Sequence, residues 1–148
     1  EEEVVTRLAR VGYDYCIGYL DGGIEAWKKA GLELDTIKSI TIEQLAEIVE
    51  KNSTTHILDV RKKCEFDSEH LVNAENAPLD FINDSMAHIN KNETYYVHCA
   101  GGYRSMIFAS ILRARGFDNL IDIKDGFKAI KENGSFKITD YVCPSTLL

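Results

Sequence analysis

The stretch Tyr95-Tyr96-Val97-His98-Cys99-Ala100-Gly101-Gly102-Tyr103-Arg104-Ser105-Met106-Ile107 places one cysteine between a strand-like run and a helix-like run. A cysteine at a helix N-terminus faces unpaired backbone N–H groups and the positive end of the helix dipole, which favour the thiolate over the thiol. Gly101 and Gly102 permit the tight curvature that turns such N–H groups inward around an anion. Because the thiolate is the nucleophilic form, the stretch predicts covalent chemistry at Cys99.

The bulk composition is that of one globular domain. The chain has 148 residues, 45% of them hydrophobic and 28% charged, which is enough to bury a core without disulfides. Its net charge of −7 argues against a nucleic-acid-binding surface, which needs clustered Lys and Arg. No apolar run approaches the roughly 20 residues that span a bilayer, and the start Glu1-Glu2-Glu3 is unlike a signal peptide. We therefore expect neither nucleic-acid nor membrane partners, and the four widely scattered cysteines favour a reducing, cytoplasmic setting.

The residues that commonly bind metals are scattered along the chain. The cysteines are Cys16, Cys64, Cys99 and Cys143, and no two of them form a C-x-x-C pair. This pattern fits neither a zinc site nor a disulfide framework. The histidines share no ligand spacing either, so we expect no metal and no cofactor.

Two parts of the chain resemble each other. Residues 8–14 and 17–27 share with residues 112–118 and 120–130 the order of helix end, glycine stop, aromatic-Asp turn, short strand, glycine turn and short helix. The alternative is that two such connections look alike by chance. We interpret residues 1–35 as the C-terminal fragment of a preceding domain and residues 36–148 as a complete domain of the same kind.

Strands alternate with helices in residues 36–148. The strands are expected at 37–40, 56–60, 95–98 and 120–123, and the helices at 41–50, 65–70, 80–88, 105–115 and 126–133. This alternation predicts an α/β fold with a central parallel sheet of about five strands and helices on both faces. Asp59, Arg61 and Cys99 directly follow core strands, so one crevice at the carboxyl edge of the sheet is expected to hold them together.

An ordered set of motifs resembles the rhodanese (sulfurtransferase) domain over about residues 37–135. The motifs are Leu58-Asp59-Val60-Arg61, Glu65-Phe66, His70-Leu71, Asn76-Ala77-Pro78-Leu79, His98-Cys99-Ala100-Gly101-Gly102-Tyr103-Arg104-Ser105 and Asp125-Gly126-Phe127. Residues 7–31 resemble the closing segment of a second rhodanese domain. This tandem arrangement is similar to those fused behind a metallo-β-lactamase-type domain in persulfide-oxidising proteins. The resemblance implies a rhodanese-like fold and sulfur transfer.

The length of the cysteine loop separates two chemistries. Four residues lie between Cys99 and Arg104, whereas cysteine phosphatases place one more residue between the equivalent pair. The tighter cradle suits a terminal sulfur better than a tetrahedral phosphate, although phosphatase or arsenate-reductase chemistry stays open. The resemblance implies that Cys99 takes a sulfane sulfur from thiosulfate or a low-molecular-weight persulfide and passes it to a thiol or cyanide. The implied partners are these small molecules and the missing upstream domains. A non-catalytic module serving a parent protein is the other alternative.

The resemblance and the loop together assign expected roles to particular side chains. Cys99 is the expected nucleophile, and the expected substrate-binding residues are Ala100, Gly101, Gly102, Tyr103, Arg104 and Ser105. Asp59 and Arg61 are expected to support the site. Arg104 either binds an anionic donor or pairs with a carboxylate such as Asp59 or Glu65.

Three further positions bear on the site. His98 is expected to face the packing side of its strand, because neighbours on a strand point to opposite faces. Cys64 is either a resolving thiol for Cys99 or an ordinary surface cysteine. Glu69 and Asn73 occupy positions where the family usually has glycine, and only Asn tolerates a left-handed backbone well.

Overall fold

The computed structural model describes residues 1–10, 12, 14–52 and 54–143. The chain forms two units, Glu1–Thr36 and Ile37–Leu148. The smaller unit contains helices α1 (Glu2–Ala9) and α2 (Gly23–Lys29). None of the described helices is long and apolar enough to cross a membrane.

The larger unit is built on a five-stranded sheet in which all neighbouring strands run parallel. The strands are β1 (Lys38–Ile40), β2 (His56–Asp59), β3 (Ala74–Asn76), β4 (Tyr95–His98) and β5 (Leu120–Ile123), in the spatial order β1-β5-β4-β2-β3. The predicted parallel sheet of about five strands is therefore confirmed. β3 lies outside the strands predicted individually, because Ala74 is its only apolar residue and no hydrophobic run marks it in the sequence.

The helices of the larger unit connect these strands. They are α3 (Ile42–Lys51), α4 (Lys63–Ser68), α5 (Ile82–His88), α6 (Tyr103–Ala114) and α7 (Gly126–Asn133). α3 begins with a capping box in which the Thr41 hydroxyl accepts from the Gln44 N–H at 3.4 Å and the Gln44 carboxamide accepts from the Thr41 N–H at 3.0 Å. α4 starts and ends two residues before its expected bounds. The helix expected at 80–88 is divided into a 3₁₀ turn, Leu79–Phe81, and α5.

Two hydrophobic clusters cover the two faces of the sheet, because successive strand side chains point to opposite sides. On β2, Leu58 belongs to one cluster and Ile57 to the other. Phe108 of α6 packs in the first cluster, while Leu45 of α3 and Ile130 of α7 pack in the second. Burying each such side chain contributes roughly 1.5 to 3 kcal/mol. The expected helices on both faces are therefore present.

The two positions that replace a family glycine fit the turn between α4 and β3 for different reasons. Asn73 adopts the left-handed φ of +72°, which asparagine tolerates better than most residues. Glu69 has a φ of −168° and a ψ of 130°, an extended conformation that any residue adopts. Position 69 therefore needs no left-handed backbone, and glutamate fits there without strain.

The smaller unit lacks the short strand that its likeness to residues 120–123 predicts at residues 17–20. Residues 14–20 form no regular secondary structure, and the Ile17 side chain is fully exposed. A strand needs a neighbour that pairs with its backbone N–H and C=O groups, and the described part of this unit provides no such strand.

Candidate active site

Cys99 lies where β4, the middle strand of the sheet, turns into α6. The His98 carbonyl accepts from the Val60 N–H at 2.9 Å, so the chain stays anchored to its neighbour up to the residue before the cysteine. Gly102 adopts a φ of +90° immediately before the first residue of α6, and this turns the loop back over the sulfur. Cys99 is 1% exposed, so its thiol lies at the bottom of the loop and not on the surface.

Hydrogen-bond donors converge on the Cys99 sulfur. The Ser105 hydroxyl lies 3.6 Å from Sγ, and the backbone N–H groups of Ser105, Gly101 and Gly102 also donate to it. Burial raises the pKa of the Cys99 thiol, but these donors together outweigh burial and the pKa falls below its ordinary value. The loop therefore stabilises negative charge on sulfur, the state that nucleophilic attack requires.

The start of α7 braces the cysteine loop through its backbone. The Phe127 N–H donates to the Cys99 carbonyl at 2.7 Å, and the Lys128 N–H donates to the Ala100 carbonyl at 3.2 Å. Gly126 has a φ of +56°, and a Cβ there would overlap the Cys99 carbonyl oxygen and lie 2.9 Å from the Ala100 carbonyl carbon. Only glycine allows this close approach without displacing the loop.

Arg104 is held by Glu65, at the start of α4, through two hydrogen bonds. Arg104 Nη1 donates to Oε2 at 2.6 Å and Nη2 donates to Oε1 at 2.9 Å. This contact lowers the pKa of Glu65 and raises the pKa of Arg104, while partial burial opposes both shifts. Of the two roles left open for Arg104, the structure contains the ion pair, and its partner is Glu65 and not Asp59.

Asp59 and Arg61 form a buried ion pair beside the loop. Arg61 Nε donates to both carboxylate oxygens of Asp59 at 2.9 Å, and Nη2 donates to Oδ2 at 2.6 Å. The Arg61 guanidinium also lies 4.0 Å from the centre of the Phe127 ring and donates to the Glu69 carbonyl at 2.8 Å. The Asn76 carboxamide donates to the Asp59 and Arg61 carbonyls at 2.9 and 3.0 Å. These contacts fit the supporting role expected for the pair.

Comparison with known proteins places this site in a family. Residues 41–133 match the rhodanese-like domain. The chain belongs to the rhodanese-like family. The crystal structure of a rhodanese-like domain protein from Staphylococcus aureus is 35% identical, with a TM-score of 0.62, and the match covers 70% of this chain and 100% of that one.

Two curated relatives are similar to part of this chain. The putative sulfur carrier protein YrkF of Bacillus subtilis (strain 168) is 27% identical over 93 residues, which are 63% of this chain and 50% of YrkF. The tRNA sulfurtransferase of Thermoplasma acidophilum is 35% identical over 88 residues, which are 56% of this chain and 17% of that protein. The chain therefore spans about half the length of YrkF and a smaller share of the tRNA sulfurtransferase.

The remaining predicted residues lie at different depths of the rhodanese-like domain. Tyr103 is 78% exposed at the start of α6. His98 is fully buried, stacks against Phe127 at 6.1 Å between ring centres and places Nε2 4.0 Å from Asp59 Oδ2, which puts it on the packing side as expected. Cys64 is exposed on α4, so both of its expected roles, an ordinary surface cysteine and a resolving thiol, stay predictions. The described residues contain no group of three or more side chains placed to bind a metal.

Sequence reasoning assigned no role to several residues that build this rhodanese-like site. Gly126 and Phe127 support the loop from a helix that follows the cysteine by more than twenty positions. Asn76 ties the two segments that carry Asp59 and Arg61. Asn76 and Asp125-Gly126-Phe127 belong to the motifs that resemble the rhodanese domain, so the sequence indicated that they matter. It did not indicate which contacts they make.

Proposed function

We propose that this protein is a sulfurtransferase that moves a sulfane sulfur from thiosulfate or a low-molecular-weight persulfide to a thiol or cyanide. The observation that carries the proposal is the Cys99 loop, in which the Ser105 hydroxyl lies 3.6 Å from the buried sulfur and the loop N–H donors lower the pKa of the thiol. The similarity to a putative sulfur carrier and to a tRNA sulfurtransferase supports the same class of chemistry. A reducing, cytoplasmic setting belongs to the proposal, because the nucleophile must stay a thiol between turnovers.

The proposed reaction has two steps that both occur at Cys99. In the first, the Cys99 thiolate attacks the sulfane sulfur of thiosulfate, the S–S bond breaks and its electron pair leaves with sulfite. In the second, a thiolate or cyanide attacks the outer sulfur of the Cys99 persulfide, and the Cys99 thiolate leaves. The N–H groups that bind the thiolate also lie at the base of the persulfide, whose outer sulfur carries the negative charge.

The short loop and the buried sulfur favour this cargo over phosphate. Gly101, Gly102 and Ser105 direct their N–H groups to the sulfur atom itself, and the Arg104 side chain is engaged by Glu65. A phosphatase loop must instead present its N–H groups and arginine to the oxygen atoms of a bound phosphate. The site therefore suits a sulfur atom attached to Cys99 better than a phosphoryl group.

A turnover assay tests the proposal. Thiosulfate or glutathione persulfide is supplied with cyanide, and thiocyanate formation is followed for the wild-type chain, Cys99→Ser and Cys64→Ser. We expect wild-type turnover, complete loss in Cys99→Ser and retention in Cys64→Ser. A wild-type chain that forms no thiocyanate from either donor would favour the non-catalytic alternative, and activity in Cys99→Ser would exclude the mechanism.

We also propose that residues 1–35 are the C-terminal fragment of another rhodanese-like domain. Equivalent positions of the two repeats share left-handed φ values: +91° and +82° at Gly12 and Gly116, +76° and +59° at Gly22 and Asp125, and +57° and +56° at Gly23 and Gly126. Each repeat then continues into a helix, α2 or α7. Fusion to an upstream metallo-β-lactamase-type domain belongs to the same proposal and rests on the sequence resemblance.

The exposed apolar side chains of the smaller unit support this assignment. Ile24 and Trp27 are 55% and 39% exposed, whereas the equivalent Phe127 and Ile130 are 6% and 0% exposed. The rest of the second domain would cover Ile24 and Trp27. Trp27 is the single tryptophan, so its fluorescence should shift to shorter wavelength in a longer polypeptide that includes the upstream sequence. An unchanged spectrum would contradict the assignment.

A further inference from the structure

Arg104, five residues after Cys99, is already engaged by a carboxylate. Both terminal nitrogens of Arg104 donate to Glu65, at 2.6 and 2.9 Å. The raised pKa of Arg104 comes mainly from Glu65, with a smaller contribution from the charge of the Cys99 thiolate. Bidentate pairing fixes the orientation of the guanidinium and neutralises its charge.

The second arginine of the site is engaged as well. Arg61 donates from Nε and Nη2 to the Asp59 carboxylate, and its Nη2 also donates to the Glu69 carbonyl. Both members of that pair are almost completely buried. Because separating a buried pair leaves an uncompensated charge, Arg61 cannot turn toward a ligand at Cys99.

The charge of the donor therefore matters for the first step. Thiosulfate is a dianion, and its approach to a thiolate adds like charges that need a cation for compensation. A protonated organic persulfide presents an outer sulfur without formal charge, so its reacting end needs no such cation. We propose that Glu65 is a specificity residue that holds Arg104 away from anionic donors and makes the site select organic persulfides over thiosulfate. This inference rests on the proposed sulfur transfer and names its donor class.

The persulfide reaction balances without any further reactant. The Cys99 thiolate attacks the outer sulfur of a persulfide R–S–SH, the S–S bond breaks and the electron pair leaves with the thiolate RS⁻. The proton then passes from the new Cys99 persulfide to RS⁻, giving the thiol RSH and a persulfide anion bound by the loop N–H groups. No net oxidation occurs, because one sulfane sulfur moves from one thiol to another.

Glu65→Gln isolates the charge from the other contact that Glu65 makes. The Glu65 carboxylate also accepts from the Lys62 N–H at 3.1 Å, and a glutamine oxygen can keep that bond. The variant removes the negative charge that compensates Arg104. Asp67→Asn is the matched control, because Asp67 lies on the same helix with a similar exposure and pairs with Lys63 at 2.7 Å and not with Arg104.

The readout is the ratio of kcat/KM for thiosulfate to kcat/KM for glutathione persulfide, measured on the same preparation so that the folded fraction cancels. We expect this ratio to rise about tenfold in Glu65→Gln, because Arg104 becomes free to make one charge-assisted hydrogen bond to thiosulfate. In Asp67→Asn the ratio should stay within about twofold, because an exposed ion pair contributes little. Added salt should reduce the rise. The double variant Glu65→Gln with Arg104→Gln should lose it.

Each outcome has a distinct meaning. A ratio unchanged in Glu65→Gln, or raised equally in Asp67→Asn, overturns the role of Glu65 while leaving sulfur transfer intact. A wild-type enzyme that already prefers thiosulfate to the persulfide also overturns it. Absence of turnover with both donors in the wild-type chain instead refutes the proposed sulfur transfer itself.

Discussion

Gly126→Ala should displace the cysteine loop, because the start of α7 packs directly against the loop backbone. A Cβ at position 126 would overlap the Cys99 carbonyl oxygen and come within 2.9 and 3.0 Å of the Ala100 carbonyl carbon and oxygen. The atoms in the way belong to the backbone, so no side-chain rotation relieves the overlap. The residue also has a φ of +56°, which alanine adopts only under strain.

The expected cost is the sum of two effects. The left-handed backbone costs alanine about 1 to 2 kcal/mol, and overpacking a buried site costs about 1 to 3 kcal/mol more. The free energy of unfolding should therefore fall by about 2 to 5 kcal/mol. The overlap would also displace the Cys99 carbonyl from its hydrogen bond with the Phe127 N–H. Sulfur transfer should therefore fall even in the fraction that stays folded.

Gly134→Ala supplies the matched control. Gly134 follows the same helix with a φ of +72°, but nothing lies within 4 Å of the position its Cβ would take. It should lose only the backbone term of about 1 to 2 kcal/mol and keep its activity. Urea denaturation gives both free energies, and thiocyanate formation per folded molecule gives both activities. A Gly126→Ala variant that is no less stable and no less active than Gly134→Ala would contradict close packing of Gly126 against the loop.

Substitutions at three other positions test separate features. Arg61→Met should lower the free energy of unfolding by about 3 to 5 kcal/mol, because it leaves the buried Asp59 carboxylate uncompensated; replacing both residues with apolar ones should recover much of the loss in a urea titration. Ser105→Ala removes a donor to the Cys99 thiolate. The pH midpoint of Cys99 alkylation by iodoacetamide should therefore rise by roughly 0.5 to 1 pH unit, and alkylation below that midpoint should be slower. A fall in the midpoint would contradict the role of the hydroxyl. Asn73→Ala should cost about 1 to 2 kcal/mol at its left-handed φ, whereas Asn73→Gly should not destabilise the protein, and equal losses would contradict the backbone explanation.

Local signals in the sequence predicted the parts of the fold that depend on neighbouring residues. The helix α3 and the strand ending at His98 follow from short patterns that need no knowledge of distant segments. α7 was expected at 126–133 and begins and ends there, because glycine and asparagine mark its ends. β3 escaped prediction because its pairing with β2 depends on tertiary contact and not on its own three residues.

The chemistry of the site was only partly accessible from sequence. The turn at Cys99 and the donors around it follow from a glycine-rich loop before a helix. The pairing of Arg104 with Glu65 joins positions far apart in the chain, so sequence alone left its partner and its role open. The contact of Gly126 with the cysteine loop also depends on how α7 packs against that loop. A glycine at this position is compatible with such a contact, but the sequence does not show which segment it contacts.

Intact mass spectrometry after exposure to a sulfane-sulfur donor tests the central claim most directly. The protein is incubated with glutathione persulfide, freed of excess donor and measured before and after cyanide, with Cys99→Ser as the control. The account predicts a mass increase of one sulfur atom that peptide mapping assigns to Cys99, that cyanide removes and that Cys99→Ser lacks. An unmodified wild-type protein, or an added sulfur located on Cys64 instead, would contradict it.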